Sequence, residues 1–345
     1  LDVKVERLQT SIKEIKALTN ARKLPSNFNK LGDLDFKGRF TGFFLDFVAD
    51  GRLKTDLGRV NSDLKIDLRE GFENAEYSGN LRVIDFDVQT WSGNDLFGTA
   101  AFSGKVKGRG VTLKTVDADL DAKLQKFTFK GYDYENVRLD GRLTGKFFDG
   151  KLLVEEQDVD MKFVGSVDFR DSLPVFDFTA NVDQLKLKNL NLAMQDIQLR
   201  GDVKFDFSGS NIDNFVGAAS VYSFDFQQDD KKYHADTVVI TSDIKGRNNR
   251  VLTVDSELAN AKIEGEFDVI QLPAAFARYF ETNYPKYAQR LNISSEKLAP
   301  KKKMVLDTSM QLVERPVDIR EQDLRFSLKV RESNDLIDLL VKNVE

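Results

Sequence analysis

Cysteine is absent from this chain of 345 residues, which excludes disulfide frameworks, cysteine zinc sites and thiol nucleophiles. Histidine occurs once, at His234, in the segment KKYHADTVVITS. Ser-His-Asp chemistry through it is possible in principle, but the setting indicates a surface or cross-strand role at a strand edge or turn. No uninterrupted apolar run reaches the ~18 residues of a membrane-spanning helix, so we predict none.

A surplus of basic charge is also missing. The chain has 51 Lys and Arg against 56 Asp and Glu, for a net charge of −5, so no overall basic field attracts nucleic acid and we expect no nucleic-acid partner. Phenylalanine is abundant instead, with 27 residues beside one Trp and eight Tyr. Phe contributes apolar area without a polar group, so this composition requires a large apolar face beside an equally large charged one.

Alternation of apolar and polar residues dominates from about Leu34 to Asp268. The segments VDADLDAKL, FDFTANV, VKFDFSG and YSFDF each place their apolar residues at every second position. This period of two predicts strands with one buried and one solvated face, and therefore a mainly β, antiparallel-rich fold of on the order of twenty strands. We assign residues 34–270 to one continuous sheet, preceded at 1–33 by an amphipathic helix and lead-in.

Helical spacing occurs in two places. At the start, Val5, Leu8, Ile12, Ile15 and Leu18 recur at intervals of three and four, which predicts a helix over about 1–24 that ends at Pro25. A helical insertion is assigned to 271–300. It contains a helix from about Leu272 to Leu291 with Pro273 in its first turn and a kink at Pro285.

The second helix carries an apolar stripe, for which core packing is favoured over a ligand site. Its members are Phe276, Phe280, Tyr284, Tyr287 and Leu291. Residues 301–345 are assigned to further strands, around 306–312 and 324–330, and to a short terminal helix in SNDLIDLLVKNV.

Three segments contain residues that could bind a phosphate group or a cation. GKVKGRG superficially resembles a phosphate loop but lacks the Lys-Ser/Thr ending and a following helix, so a tight turn is the better interpretation. The acidic EEQDVDMK could hold a hard cation such as calcium, but its alternation is typical of the wet face of a strand. Lys301 to Lys303 could meet lipid phosphates, although a solvated loop is favoured. No catalytic set stands out, so we expect a non-enzymatic protein without cofactor or metal.

One element is repeated: FKGRFTGFFLDFVADGRL at 36–53 and VRLDGRLTGKFFDGKLLV at 137–154. We interpret Gly141, Gly145 and Gly150 as turn and bulge positions of a hairpin. The interval from Gly42 to Gly51 exceeds that from Gly145 to Gly150 by four residues. Because four is even, the later strand keeps its facing, which indicates selection for facing rather than loop length.

About twenty alternating strands cannot form one flat sheet. Their apolar faces could pack as a sandwich, close into a barrel that meets lipid, or line a trough. A structural or adhesive sandwich array therefore remains an alternative at this level.

The motifs of this region resemble the middle repeats of the TamB family, AsmA-like proteins of Gram-negative envelopes, in particular the Bacteroidota versions. The matching positions are Leu24-Pro25, Leu31-Gly32, Gly38, Gly42, Phe47, Gly51, Leu53, Thr55 and Gly58, then Tyr132, Tyr134, Asn136, Asp140 and Gly141, and the segment Leu185 to Leu192. The likeness covers about residues 24–270, and it implies that the chain is an internal piece of a longer protein anchored in the inner membrane.

The resemblance implies an elongated periplasmic β-groove that runs from the inner towards the outer membrane. Such a groove would shield and conduct phospholipid acyl chains, or assist outer-membrane protein assembly beside an Omp85-type barrel such as TamA or BamA. The candidate lining residues are Val116, Ala118, Leu120, Ala122, Leu124, Phe176, Phe178, Ala180, Val182, Val203, Phe205, Phe207, Phe224 and Phe226.

Overall fold

The computed structural model describes residues 2–19, 26–112, 114–245, 249–306, 312–316 and 321–331. The protein is mainly β, with 62% of residues in strands and 15% in helices, and it has one large antiparallel sheet that is not closed. The mainly β, antiparallel class predicted from the alternation is confirmed.

The helices are short, and the strands follow the predicted alternation. The α-helices are α1 (Ile12–Thr19), α2 (Val88–Ser92), α3 (Leu272–Asn283), α4 (Pro285–Arg290) and α5 (Ser295–Leu298), and the 3-10 helices span Ser26–Leu31, Phe72–Asn74 and Val269–Gln271. The strands are β1 (Asp2–Ser11), β2 (Asp33–Phe43), β3 (Asp46–Thr55), β4 (Gly58–Asp67), β5 (Glu76–Asp87), β6 (Phe97–Arg109), β7 (Asp117–Phe129), β8 (Tyr132–Tyr134), β9 (Val137–Thr144), β10 (Phe147–Glu155), β11 (Val159–Asp168), β12 (Val175–Lys186), β13 (Ile197–Ser208), β14 (Val216–Gln228), β15 (Lys231–Lys245), β16 (Asn249–Ser256), β17 (Ala259–Glu266), β18 (Lys302–Leu306), β19 (Leu312–Pro316) and β20 (Asp323–Val330).

The chain divides into two compact units. Unit 1 comprises Leu1–Ser166, Ala180–Leu199 and Gln227–Asp230, and unit 2 comprises Val167–Thr179, Arg200–Phe226 and Lys231–Glu345. In unit 1, β1 to β7 form an antiparallel meander in which each strand pairs with the next. β7 then pairs with β8 near one end and with β9 along the rest of its length, and β9 pairs with β10.

The predicted helix over 1–24 is wrong for its first half, because Asp2–Ser11 is strand β1 and only Ile12–Thr19 is helical. β1 pairs with β2, and its register shifts between Val5, opposite Gly38, and Leu8, opposite Phe36. This β-bulge puts Val5 and Leu8 on one face despite a spacing of three. The spacing that resembles a helix turn is therefore a bulged strand. The predicted end at Pro25 lies outside the described residues.

In unit 2, β15, β16, β17 and β20 form a ladder in that order. Arg250 at the start of β16 is buried, and its guanidinium donates to Ser242 Oγ at 2.8 Å and to the carbonyls of Ile212, Asp213 and Phe215 at 2.8–3.0 Å. Burial lowers the pKa of Arg250. These bonds fix the loop between β13 and β14 against β16 and satisfy the buried guanidinium. The charges of Asp213 and Asp268 oppose the lowering of its pKa.

The helical insertion follows the predicted bounds closely. Pro273 lies in the first turn of α3, and the expected kink is a break at Tyr284, with Pro285 opening α4. Core packing of the aromatic stripe is wrong for four members: Phe280, Tyr284, Tyr287 and Leu291 are 40–63% exposed. Small side chains face the protein instead, since Ala274, Ala277 and Ala288 are buried with Leu272.

The last part of the chain is described only in pieces. β18 and β19 pair with each other in a separate two-stranded sheet, and β20 carries the predicted alternation of Leu324, Phe326, Leu328 and Val330. The middle of the strand expected at 306–312 and the terminal helix expected in 333–344 lie outside the described residues. Within the described ranges, no helix combines the length and apolar character that a membrane crossing needs.

Candidate functional site

Unit 1 presents a continuous apolar face across eight strands, β2 to β7, β9 and β10. Directly paired residues in antiparallel strands point to the same side of the sheet, so the registers define rows. Four adjacent rows on this face contain no charged residue. They are Gly42-Phe47-Ile66-Tyr77-Gly108-Ala118-Leu143-Phe148, Phe40-Ala49-Leu64-Gly79-Val106-Leu120-Gly141-Gly150, Gly38-Gly51-Ser62-Leu81-Gly104-Ala122-Leu139-Leu152 and Phe36-Leu53-Val60-Val83-Phe102-Leu124-Val137-Val154.

Most side chains in these rows are half-buried, and only Ala49, Val83, Ala118, Val137 and Val154 are buried. Among the described residues of unit 1, the extensive contacts of β2 to β7 are with their ladder neighbours, apart from α2 beside β6. The face is thus partly, not fully, covered. A partly exposed apolar surface of this extent in a folded protein marks an interaction or binding surface.

An aromatic cluster joins the two short helices that flank β5. The ring of Phe28, in the 3-10 helix Ser26–Leu31, lies 5.6 Å from that of Phe72 and 5.1 Å from that of Trp91. Phe72 lies in the 3-10 helix before β5 and Trp91 lies in α2 after it, so a single ring connects the segments on both sides of a strand of 12 residues. Trp91 also contacts Phe86, which lies opposite Ala100 in line with the apolar rows. Phe28 is thus an aromatic clamp across the ends of β5, on the apolar side.

The repeated element places a glycine pair in each hairpin. Gly38 lies opposite Gly51 in β2–β3, and Gly141 lies opposite Gly150 in β9–β10. A Cβ on Gly38 would lie 2.3 Å from the Asp50 carbonyl oxygen, and one on Gly150 would lie 2.4 Å from that of Asp140. The rings of Phe36 and Phe148 reach within 3.0 Å of these Cβ positions and cover the two pairs. Glycine thus allows close backbone approach, and an adjacent aromatic restores the apolar surface.

The Arg and Thr of the same motif anchor each hairpin to the preceding strand. Arg39 donates two hydrogen bonds to Asp2 of β1, at 2.7 and 2.9 Å, and Thr41 Oγ1 lies 3.4 Å from the same carboxylate. The second copy repeats this in β7, where Asp117 accepts from Arg142 at 2.9 and 3.0 Å and from Thr144 at 3.1 Å. Bidentate Arg–carboxylate pairs fix geometry as well as charge. The predicted hairpin is confirmed, with Gly145 in the two-residue turn of the second copy. The bulge predicted for the other glycines is wrong, because Gly141 and Gly150 pair directly in an unbroken register.

Leu190 closes one end of the apolar face. This residue lies in the loop that follows β12. Its side chain is 1% exposed and packs with Val137, Val154 and Val159. Asn189 donates to Asp158 at 2.8 Å, and Asn191 donates to the Lys130 carbonyl at 2.9 Å, which fixes the loop on both sides. The sequence indicates this LKLKNLNL segment only as a motif of the family resemblance. Its Asn-Leu-Asn centre, unlike the flanking strands, was the available signal for a cap.

The predicted lining residues lie in both units. Ala118, Leu120, Ala122 and Leu124 of β7 belong to the four rows of unit 1, and Val116 immediately precedes this strand. In β12, Phe176 and Phe178 belong to unit 2 and Ala180 and Val182 to unit 1, and they alternate with exposed polar residues along the strand. Val203, Phe205, Phe207, Phe224 and Phe226 are all half-buried.

Unit 2 connects several of these residues through ring contacts. The centroids of Phe176 and Phe207 lie 4.9 Å apart, those of Phe178 and Phe205 lie 5.0 Å apart, and Phe205 contacts Phe207 at 5.4 Å. Phe169 and Phe215 extend this chain at 5.8 and 4.8 Å. Because each ring remains half-buried, the chain forms an aromatic surface rather than a closed core.

A groove of about 1150 Å³ in unit 1 is lined mainly by charged residues of the polar face. Seven of these residues are basic and four are acidic, and five residues of the third apolar row also border the groove: Gly38, Gly51, Ser62, Leu81 and Gly104. None of the lining residues predicted from the sequence belongs to it. The mixed charge selects no ligand class, so the apolar face remains the better candidate site.

The glycine-rich segment GKVKGRG and the acidic segment EEQDVDMK have structural roles. Gly104 and Gly108 of GKVKGRG lie inside β6, opposite Ala122 and Ala118, so the tight turn expected there is wrong and no phosphate cradle forms. In the acidic segment, Glu156 accepts hydrogen bonds from Tyr132 Oη at 3.0 Å and from the backbone of Glu135 and Asn136. Burial and this carboxylate raise the pKa of Tyr132. Among the described residues, no cluster of acidic or His side chains is placed to hold a metal.

His234 lies in β15 and takes a cross-strand role. Its Nδ1 lies 2.7 Å from an Asp225 carboxylate oxygen, and its Nε2 lies 3.2 Å from one of Asp236. The Asp225 hydrogen bond, with that of Asp236, raises the pKa of this exposed imidazole. Both nitrogens face carboxylates rather than a hydroxyl nucleophile, and this pairing supports the surface role predicted from sequence.

Comparisons with known proteins found no similarity to report: no protein-family model, no curated protein and no solved structure matches the chain.

Proposed function

We propose that this protein is a non-enzymatic groove protein of the Gram-negative periplasm that shields phospholipid acyl chains between the inner and outer membranes. The observation that carries the proposal is the uncharged face of four rows across eight strands in unit 1. With about 4.8 Å between strands, these rows extend over roughly 34 Å. The resemblance of residues 24–270 to TamB repeats supplies the envelope setting.

Acyl chains need a track of this kind because each methylene exposed to water costs about 0.8 kcal/mol. A face without charged groups lets a chain lie at any position along the rows without meeting a desolvated ion. The outward-facing positions of the same strands are charged and exposed, which would keep the loaded protein in solution.

At the outer membrane, the proposed partner is an Omp85-type barrel of the TamA or BamA kind, an expectation carried by the family resemblance alone. In the proposal no bond is made or broken.

Photocrosslinking tests acyl-chain binding. A photoreactive amino acid at Leu120 on the apolar face of unit 1, or at Phe178 or Phe205 in unit 2, should crosslink to phospholipid when the protein is expressed in a Gram-negative host. Mass spectrometry of the purified protein would identify the adduct. The matched control positions are Asp119, Asp177 and Lys204, which neighbour these residues on the same strands and are exposed. Absence of lipid adducts at Leu120, Phe178 and Phe205, or equal adducts at the control positions, would refute the proposal.

A further inference from the structure

The helical insertion of unit 2 exposes an aromatic surface. Tyr279, Phe280, Tyr284 and Tyr287 are 40–63% exposed, and Leu291 is 54% exposed. The rings of Tyr279, Phe280 and Tyr284 lie 6.0–6.2 Å from one another, so they form one patch across the break between α3 and α4. Since Ala274, Ala277 and Ala288 supply the buried side, the large side chains are turned outward.

The same segment has a net positive charge, opposite in sign to that of the whole chain. Residues 272–303 contain seven Lys and Arg against two Glu, whereas the whole chain has a net charge of −5. Arg278, Lys286 and Arg290 are exposed beside the aromatic patch, and none has an ion-pair partner among the described residues. Glu281 is half-buried and accepts from Ser295 Oγ at 2.6 Å and Ser295 N at 3.1 Å, which lowers its pKa. Within residues 272–303, the only exposed acidic residue is therefore Glu296.

We propose that the face formed by α3 and α4 docks onto the surface of an anionic lipid bilayer. Tyr and Phe at the level of the headgroups bury their rings while Tyr keeps its hydroxyl wet. Unpaired Lys and Arg at the edge of such a patch are attracted to anionic headgroups. A short helical element with these two features lies in the interface without crossing the membrane.

Another exposed aromatic pair shows what distinguishes this patch. Phe43 and Phe44, at the turn between β2 and β3, are 80% and 87% exposed. Their neighbours Asp46 and Asp67 are each within ion-pair distance of Arg69, so the turn has no excess of basic charge. Exposed aromatic side chains therefore occur elsewhere in the molecule as well. The excess of basic residues beside them distinguishes the α3–α4 patch from the turn with Phe43 and Phe44.

Vesicle flotation tests the proposal. The full chain should float with vesicles of equal parts phosphatidylcholine and phosphatidylglycerol, and it should bind far less to phosphatidylcholine alone. The double variant Lys286→Gln/Arg290→Gln should weaken binding roughly 25-fold, because each basic residue near an anionic surface contributes about a fivefold change. Tyr284→Ser/Tyr287→Ser should weaken binding at low and at high salt, and Phe43→Ser/Phe44→Ser should leave it unchanged.

Several outcomes would overturn this assignment. These are equal binding to neutral and anionic vesicles, full binding by both helix variants, or loss of binding in the Phe43/Phe44 control. Binding to a second copy or to an acidic protein, with no flotation, would assign the face to a protein partner instead. The helix variants should keep the lipid adduct at Phe178, since this docking is independent of acyl-chain binding. The two proposals can therefore fail separately.

Discussion

The two copies of the repeated hairpin, β2–β3 and β9–β10, keep the same contacts at different lengths. The glycine pairs are Gly38 with Gly51 and Gly141 with Gly150, so the first copy is two residues longer on each strand. In both copies the glycine pair faces the apolar side, a Phe ring covers it, and the Arg binds an Asp on the preceding strand. The comparison indicates that the motif specifies facing and close strand approach, while hairpin length is free to vary in steps of two.

The surroundings of the two copies differ. The carboxylate partner of the first, Asp2, is 54% exposed, and that of the second, Asp117, is 22% exposed. Leu190 packs on Val137 and Val154 of the second copy. The second copy is therefore the better shielded one, and this difference leads to three predictions.

The largest effect is expected from Leu190→Ala. Truncation of a fully buried Leu to Ala lowers the free energy of unfolding by about 2–5 kcal/mol. We expect a loss of about 3 kcal/mol, measured by urea unfolding. Because Leu190 packs with Val137, Val154 and Val159, and no member of its cluster lies in the first hairpin, hydrogen exchange should accelerate in β9 and β10 more than in β2 and β3. Leu192→Ala is the matched control, since Leu192 is 41% exposed in the same loop. Equal acceleration in both hairpins would contradict the assignment of Leu190 as a local cap.

The next effect concerns the rings over the glycine pairs. Phe36→Ala and Phe148→Ala should each destabilise by about 2 kcal/mol, which is below the cost for fully buried Phe because these rings are half-buried. Phe44→Ala, at an 87% exposed position, should cost almost nothing.

A double-mutant cycle sharpens this prediction. Gly150→Ala should cost about 1–3 kcal/mol because its Cβ would meet backbone atoms. That cost should fall by about 0.5 kcal/mol when Phe148 is already Ala, since one of the clashing groups is then absent. Strict additivity would mean that the ring and the glycine pair act separately.

The smallest effect comes from the Arg–Asp anchors. Arg142→Gln should lower Tm by about 1–2 °C at neutral pH, and Arg39→Gln should lower it less because its pair is more exposed. The Arg142 guanidinium holds the pKa of Asp117 below its usual range. A lowered carboxyl pKa stabilises the protein above the unfolded value near ~3.9 and loses this contribution as pH falls through the folded pKa.

The difference between wild type and Arg142→Gln should therefore be constant from pH 5 to pH 8 and shrink below about pH 4. Urea unfolding midpoints at neutral and acidic pH measure this difference in stability. Arg142→Lys is the control, because it keeps the positive charge but not the bidentate geometry. An undiminished difference at low pH would show that Asp117 is not the partner that matters.

Much of the candidate site could be predicted from alternation alone. The period of two in VDADLDAKL assigned Ala118, Leu120, Ala122 and Leu124 to one face, and the strand register places them there. The glycine spacing of the repeat likewise predicted conserved facing. Both are properties of the pleat, in which successive side chains must point to opposite sides.

Other features depended on contacts that the sequence does not encode locally. Val5 and Leu8 have the spacing of a helix, but pairing with β2 through a bulge makes β1 a strand. The aromatic stripe of α3 and α4 has the spacing of a core-facing helix, yet the side of these helices that packs against the protein is formed by alanines. Amphipathic spacing defines two faces of a helix without stating which one packs against the protein.

The sequence by itself therefore determined the class of the fold, the uncharged composition of its apolar face and the hairpin motif, because these follow from local periodicity and glycine stereochemistry. Only the tertiary structure decided that Phe28 clamps both ends of β5, that Leu190 caps the rows, and that the aromatics of the helical insertion face outward. Each of these depends on side chains distant in sequence meeting in space, which residue spacing does not specify.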